Sequence, residues 1–104
     1  MKIQINTDNN LDLHEEYAQQ LESSLAENLS RFSDHITRLE VHLSDENGNK
    51  ESKGDKKCML EARLKGKQPI AVSTSADTYD QAVDNATDKL TASLHTIMGK
   101  SQNY

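Results

Sequence analysis

The amino-acid sequence predicts an α+β domain with the element order β-α-β-β-β-α, in which a four-stranded mixed sheet carries two helices packed on one face. Two observations support this prediction. Apolar residues alternate with polar ones in four short segments, as in strands that bury one side, and they recur every three or four positions in two longer segments, as along one face of a helix. A chain of 104 residues is long enough to bury one modest core, so both helices and the sheet must share it.

The first strand and the first helix are predicted in the N-terminal third. Ile3 and Ile5 alternate with polar neighbours, which indicates a short strand. A helix is then expected over residues 13–32, because its apolar side chains line one face while glutamates occupy the others. The apolar stripe consists of Tyr17, Leu21, Leu25, Leu29 and Phe32.

Three further strands are predicted in the middle of the chain. Alternating segments begin at Ile36, at Lys57 and at Ile70. Between the first two, residues 44–55 contain two glycines and no apolar residue, so we expect a long, mobile loop. Residues 66–68 are expected to turn the chain into the fourth strand. The first crossover should be right-handed, which makes the first two strands parallel, and hairpins should join the others.

The last predicted element is a second amphipathic helix. We expect Asp77 to be its N-cap and Gly99 to be its C-cap. Its apolar stripe consists of Tyr79, Val83, Ala86, Leu90, Leu94 and Ile97. Residues 1–100 should therefore form a single domain, followed by a flexible tail at residues 101–104.

The sequence argues against several classes of function. No apolar run is longer than that from Ile70 to Val72. This is far below the roughly 20 residues that a membrane helix needs, so we expect a cytoplasmic protein without a membrane partner. Cys58 is the single cysteine and can form neither an internal disulfide nor a two-thiol metal site. The histidines and aspartates lack the spacing of a metal site. We therefore expect no enzyme, no cofactor, no metal and no small-molecule substrate.

The charges are unevenly distributed, although the net charge is -5. Residues 38–67 hold eight of the twelve Lys and Arg residues against six acidic residues. Because the chain has few aromatic residues on which bases could stack, this surplus is suited to RNA binding through phosphates. The alternative is a hairpin whose charges are simply solvated. The candidate RNA-binding residues from this reasoning are Arg31, Arg38, Lys56, Lys57, Arg63, Lys65 and Lys67.

Three strings of residues resemble one known family in their order and spacing. Residues 82–90 follow the pattern A-V-D-x-x-x-D-K-L, and residues 29–43 contain L-x-x-F followed by I-x-x-L-x-V-x-L. Residues 1–10 run from an alternating strand into Asn-Asn. In these strings and in its predicted element order, the chain resembles the short ribosome hibernation promoting factors and ribosome-associated translation inhibitors, also known as the sigma-factor modulation protein family.

The resemblance implies a protein that lodges in the mRNA and tRNA channel of the small ribosomal subunit, in contact with 16S ribosomal RNA. It would silence idle ribosomes by steric occlusion, without catalysis, and we expect it to be a monomer off the ribosome. The D-K-L string adds Lys89 to the candidate RNA-binding residues, and Arg31 matches the family more loosely.

The helices also suggest an alternative function. Members of the family tend to carry several basic residues on both helices, where this chain has Ser23, Ser24, Glu27 and Asn28 in the first and no Lys or Arg over residues 91–98 in the second. A diverged domain of the same fold that binds a protein partner is therefore the second hypothesis.

Overall fold

The computed structural model describes residues 1–7, 14–45 and 56–102. Its element order confirms the predicted β-α-β-β-β-α arrangement. The elements are β1 (Lys2–Thr7), α1 (Glu15–Asn28), a short 3-10 helix (Ser30–Phe32), β2 (Ile36–Asp45), β3 (Lys56–Leu64), β4 (Ile70–Ala76) and α2 (Tyr79–Gln102).

The four strands form one mixed sheet in the order β1-β2-β3-β4. As predicted, β1 and β2 are parallel, whereas β3 pairs antiparallel with both β2 and β4. A parallel pair needs a crossover connection, and α1 lies in that connection. The edge strand β4 is partly covered by α2, because the Nζ of Lys89 donates a hydrogen bond of 3.2 Å to the carbonyl of Ser73.

A single hydrophobic core lies between the two helices and one face of the sheet. Alternate residues of β2 and β3 point into it, and the leucines of both helices close it from the other side. The largest fully buried side chains are Leu25, Leu29, Ile36, Leu39, Val41, Leu43, Cys58, Leu60, Leu90 and Leu94. Replacing one of these leucines by Ala would cost about 2–5 kcal/mol of the free energy of unfolding.

The opposite face of the sheet carries the strand residues that alternate with those of the core. We call it the open face. All of these residues are partly or fully exposed to solvent. They include Lys2, Gln4, Arg38, Glu40, His42, Lys57, Met59, Glu61 and Arg63, as the alternation of polar with apolar residues along the strands predicts.

The first helix is shorter than the 13–32 predicted from its apolar stripe. α1 ends at Asn28 because Leu29 leaves the helical region, with φ -105° and ψ 13°. The chain then tightens into the 3-10 helix, where the Phe32 amide donates to the Leu29 carbonyl at 2.9 Å. Since a three-residue spacing fits a 3-10 helix as well as an α-helix, the stripe continues to buried Phe32 across the change of helix type.

Both predicted caps of the second helix are wrong. Thr78 is the N-cap instead of Asp77, because its Oγ1 accepts a hydrogen bond of 3.1 Å from the Gln81 amide. Gly99 does not end the helix, which continues to Gln102. A glycine commonly ends a helix by adopting a positive φ. Among the described residues the glycine with a positive φ is Gly66, which lies in the turn between β3 and β4.

The second strand is longer than its apolar residues indicated. β2 continues to Asp45, which pairs with Lys56 at the start of β3. Polar residues can extend a hairpin when its cross-strand partners have opposite charge, as these two do. The loop predicted over residues 44–55 therefore begins at least two residues later, and its remainder lies outside the described residues.

Candidate nucleic-acid interface

One cross-strand row on the open face consists entirely of basic residues. Lys2 of β1 is paired with Arg38 of β2, which is in turn paired with Arg63 of β3. Because neighbouring strands lie about 4.8 Å apart, the three residues fall within about 10 Å across the sheet. We call these three residues the basic row.

A β-bulge places Arg38 in this row. The pairing of β2 with β3 shifts between Ile36 and Arg38, so Thr37 is the additional residue. In a regular strand, residues two apart face the same side. Here Ile36 is 1% exposed in the core, whereas Arg38 reaches the open face. The Thr37 Oγ1 also donates to the Arg63 carbonyl at 3.1 Å, which ties the bulge to the third member of the row.

Two carboxylates and one amide orient the arginines of the row. Glu40 lies next to both, with its carboxylate oxygens 3.9 Å from Nη2 of Arg38 and 3.8 Å from Nη2 of Arg63. Glu61 lies 4.0 Å from Nε of Arg63, and Gln4 Oε1 accepts a hydrogen bond from Arg38. Directly opposed like charges destabilise a sheet, and these contacts offset the repulsion between the two guanidinium groups.

The turn between β3 and β4 adds two lysines at the same end of the sheet. Lys65 and Lys67 are both exposed and follow Arg63 by two and four residues. The turn is fixed by the Lys65 amide, which donates to the His35 carbonyl at 3.0 Å, and by Gly66, whose φ of 67° favours glycine. We call the basic row together with Lys65 and Lys67 the basic end.

Arg31 lies near this end of the sheet but on its helical side. Its Nη1 is 3.2 Å from Nε2 of His95, and its guanidinium carbon is 6.0 Å from the centre of the Phe32 ring. Since arginine can only donate, the Nε2 of His95 must be the acceptor in this contact. The ring of His95 packs edge-on against Phe32 at 5.3 Å, so Arg31 is held between the C-terminal parts of the two helices.

The other predicted residues lie elsewhere. Lys56 is at the far end of the hairpin on the helical side, 2.9 Å from an Asp45 carboxylate oxygen and 5.9 Å from the Tyr79 ring centre. Lys57 is on the open face, opposite Ser44, but its pair lies six positions along the hairpin from the pair of Arg38 and Arg63. Lys89 reaches the β4 edge.

The eight predicted residues therefore do not form one surface. The basic end contains Arg38, Arg63, Lys65 and Lys67. The other four lie elsewhere, namely Arg31, Lys56, Lys57 and Lys89. Sequence reasoning missed Lys2. The alternation around Ile3 and Ile5 placed Lys2 on the open face, but only the parallel register places it beside Arg38.

The outer surface of the two helices has the opposite charge. Among the side chains described for α1 and α2, Lys89 is the one lysine or arginine. The acidic side chains of the two helices are Glu15, Glu16, Glu22, Glu27, Asp80, Asp84 and Asp88. We call these seven residues the acidic helix layer. A hydrogen bond of 2.6 Å from the Tyr17 hydroxyl to Asp80 Oδ1 joins the two helices beneath it.

Two side chains have perturbed proton affinities, namely Tyr17, which is half-buried against the core, and Cys58, which lies within the core. Burial, and then the hydrogen bond to Asp80, raise the pKa of the Tyr17 hydroxyl well above its usual value. Burial raises the pKa of the Cys58 thiol to about 12. A thiol that stays protonated is a poor nucleophile and metal ligand, in agreement with its fully buried position.

The described residues offer neither a metal cluster nor a membrane span. Within residues 1–7, 14–45 and 56–102, no group of three or more His, Cys, Asp or Glu side chains is placed to hold a metal ion. No helix in the same residues is long and apolar enough to cross a membrane.

Comparison with known proteins agrees with the resemblance drawn from the sequence strings. A family model described as Sigma 54 modulation protein / S30EA ribosomal protein matches residues 3–102. No curated protein matches the chain significantly.

Solved structures share the fold. The N-terminal domain of Protein Y from Thermus thermophilus superposes with a TM-score of 0.73 at 22% identity, covering 93% of this chain and 99% of that one. A ribosomal subunit interface protein from Coxiella burnetii superposes with a TM-score of 0.73 at 20% identity, covering 95% and 99%.

Proposed function

The chain belongs to the Sigma 54 modulation protein / S30EA ribosomal protein family, and on that premise we propose that it is a hibernation factor that occupies the mRNA and tRNA channel of the small ribosomal subunit. This is a family of ribosome-associated factors and not one of enzymes. The proposed partner is 16S ribosomal RNA, the proposed location is the cytoplasm, and the protein acts as a monomer before it binds. Inhibition is steric, because a folded domain in the channel excludes mRNA and tRNA.

The basic end is the observation that supports this function best. In a chain with a net charge of -5, RNA binding requires that positive charge be concentrated locally. Five basic side chains at one end of the sheet supply that concentration. Contacts with phosphates release counterions from the RNA, so the affinity should fall steeply as salt is added.

Sedimentation with purified small subunits through sucrose gradients at low and moderate salt tests the proposal. We expect the protein to migrate with the subunits at about 50 mM salt and largely to dissociate at about 200 mM, as counterion release requires. A protein that stays at the top of the gradient at both concentrations would contradict the proposed function. The same gradients with the large subunit provide the control for non-specific binding.

The acidic helix layer favours a second candidate, in which the fold binds a basic protein. Seven acidic side chains against Lys89 on the two helices give charge complementarity to a Lys- or Arg-rich surface. Pull-down from ribosome-depleted lysate tests this candidate. Capture of a basic protein that is lost in the D84N/D88N variant and kept in the R63Q variant would support it, and capture that is equal for both variants would oppose it.

A further inference from the structure

The basic end and the acidic helix layer lie on different sides of one small domain, and this arrangement constrains how the protein meets RNA. Phosphates attract one side and are repelled by the other. We propose that the basic row, with Lys65 beside it, is a phosphate-binding site, and that the protein docks on RNA with the open face of its sheet while the helices point away. This inference rests on the proposed function and specifies the surface that carries it.

Several cationic groups of this site are not satisfied by the protein itself. Neither the side chain of Lys2 nor that of Lys65 makes a hydrogen bond or ion pair with any residue that the structure describes. Arg63 uses Nη2 and Nε for Glu40 and Glu61, so within the same part of the chain its Nη1 has no such partner. The guanidinium of Arg63 is also accessible, since its side chain is 56% exposed.

Arg38 supports the same conclusion from a more buried position. Its Nε is buried and has no hydrogen-bond acceptor among the described residues, while its Nη2 is bound to Gln4 and lies near Glu40. A buried donor without an acceptor is unfavourable. A phosphate at the row would present acceptor oxygens to the Arg38 guanidinium.

The contacts of the other basic residues differ. Lys56 is engaged by Asp45 at 2.9 Å, and Lys89 is engaged by the Ser73 carbonyl at 3.2 Å. These two side chains already have acceptors in the free protein and would have to give them up to bind a phosphate. The distribution of unpaired charge therefore separates Lys2, Arg63 and Lys65 from Lys56 and Lys89.

The shape of the open face permits close approach. The edge strand β4 presents only small side chains on this face. They belong to Ala71, Ser73 and Ser75, which alternate with the residues that face the core. An RNA strand that crosses the basic row would meet no large side chain on β4. The two serines also carry hydroxyl groups, which are common donors to phosphate oxygens.

Quantitative binding of labelled protein to purified small subunits tests this orientation. The variant K2Q/R63Q removes two charges from the basic row, and the matched control K56Q/K89Q removes two charges elsewhere. We expect K2Q/R63Q to weaken binding about tenfold or more at moderate salt and to lower the slope of log affinity against log salt by about 1.5, because each lost phosphate contact removes about 0.7–0.9. K56Q/K89Q should stay within about twofold of wild type, with an unchanged slope.

The opposite result would overturn the inference. If K56Q/K89Q weakened binding as much as K2Q/R63Q, or more, the helices would face the RNA. A second variant, E22Q/E27Q, addresses the same point from the acidic side. In the proposed orientation the affinity of this variant stays within about twofold of wild type. If the helices faced the phosphates, the variant would bind much more tightly than wild type, because two repelling charges are gone.

The design separates failure of this inference from failure of the proposed function. If the wild-type protein does not bind small subunits at any salt concentration, the proposed function is wrong. The affinities of the same variants for a labelled RNA duplex are then compared. A larger loss of affinity in K2Q/R63Q than in K56Q/K89Q supports the phosphate site, and an equal loss in both variants overturns it. Circular dichroism and thermal unfolding of every variant establish that the exposed substitutions leave the fold intact.

Discussion

Ile36 and Arg38 lie two residues apart on β2 but face opposite sides of the sheet, because Thr37 forms a β-bulge between them. Ile36 is 1% exposed in the core, whereas the side chain of Arg38 is 37% exposed on the open face. The bulge therefore allows Ile36 to pack in the core while Arg38 reaches the candidate RNA-binding site.

Deleting Thr37 should leave both the core and the basic row in place. Ile36 and Arg38 would then be adjacent in a regular strand, opposite Leu64 and Arg63, and adjacent residues face opposite sides of a sheet. We therefore expect the deletion to cost only about 1 kcal/mol of the free energy of unfolding, for the lost hydrogen bond from Thr37 to the Arg63 carbonyl. The control T37V keeps the bulge but loses the hydrogen bond to the Arg63 carbonyl, so it should cost about 1 kcal/mol or less. Urea unfolding measures both, and a deletion variant that is several kcal/mol less stable than wild type would show that the core depends on the bulge.

Two glycines should respond in opposite ways to replacement by Ala. Gly66 has a φ of 67° and no atom within 4 Å of an added Cβ, so G66A should destabilise the protein by about 1–2 kcal/mol through backbone strain alone. Gly99 lies inside α2, also with open space around it, so G99A should stabilise by up to about 1 kcal/mol. Thermal unfolding compares the two. Destabilisation by G99A would mean that α2 ends at Gly99, as the sequence had suggested.

The hydrogen bond between Tyr17 and Asp80 should stabilise the packing of the two helices. We expect Y17F to lower the free energy of unfolding by about 1 kcal/mol at pH 7. A double-mutant cycle with D80N separates this bond from the favourable position of Asp80 in the first turn of α2. If the two single effects add fully in the double variant, the hydrogen bond contributes nothing.

The Cys58 thiol should make stability fall at high pH. Its folded pKa of about 12 lies above the ordinary value of 9.0, so the folded state keeps a proton that the unfolded chain releases. The associated stability is complete below pH 9 and is lost as the pH rises towards 12, by at most about 1.4 kcal/mol per pH unit. Urea unfolding of wild type and C58A between pH 8 and 11 measures the difference. Parallel curves would show that the pKa is not raised.

The fold could be predicted from the sequence because its signals are local and repeated. The stripe from Tyr17 to Phe32 and the alternation around Leu39 and Leu60 each follow from a periodicity that burial imposes on several residues at once. Cap positions could not be predicted, because Asp77 and Thr78 are both good N-cap residues and only the backbone path decides between them.

The candidate site could be predicted only in part, because it depends on strand register. Arg38, Arg63, Lys65 and Lys67 were found from local charge. The position of Lys2 beside Arg38 depends on how β1 pairs with β2, and nothing in either segment specifies that alignment. The bulge at Thr37 was also hidden, because a single inserted residue changes the facing of its neighbours without changing the composition.

Competition on the small subunit tests the central claim most directly. Labelled mRNA and tRNA bound to purified small subunits are titrated with the protein at low salt, and the remaining tRNA and mRNA are counted on the subunit. If the protein occupies their channel, we expect it to displace both, with an apparent affinity that weakens in proportion to the concentration of the competing ligands. A stable complex that contains the protein, mRNA and tRNA on one subunit would contradict the claim.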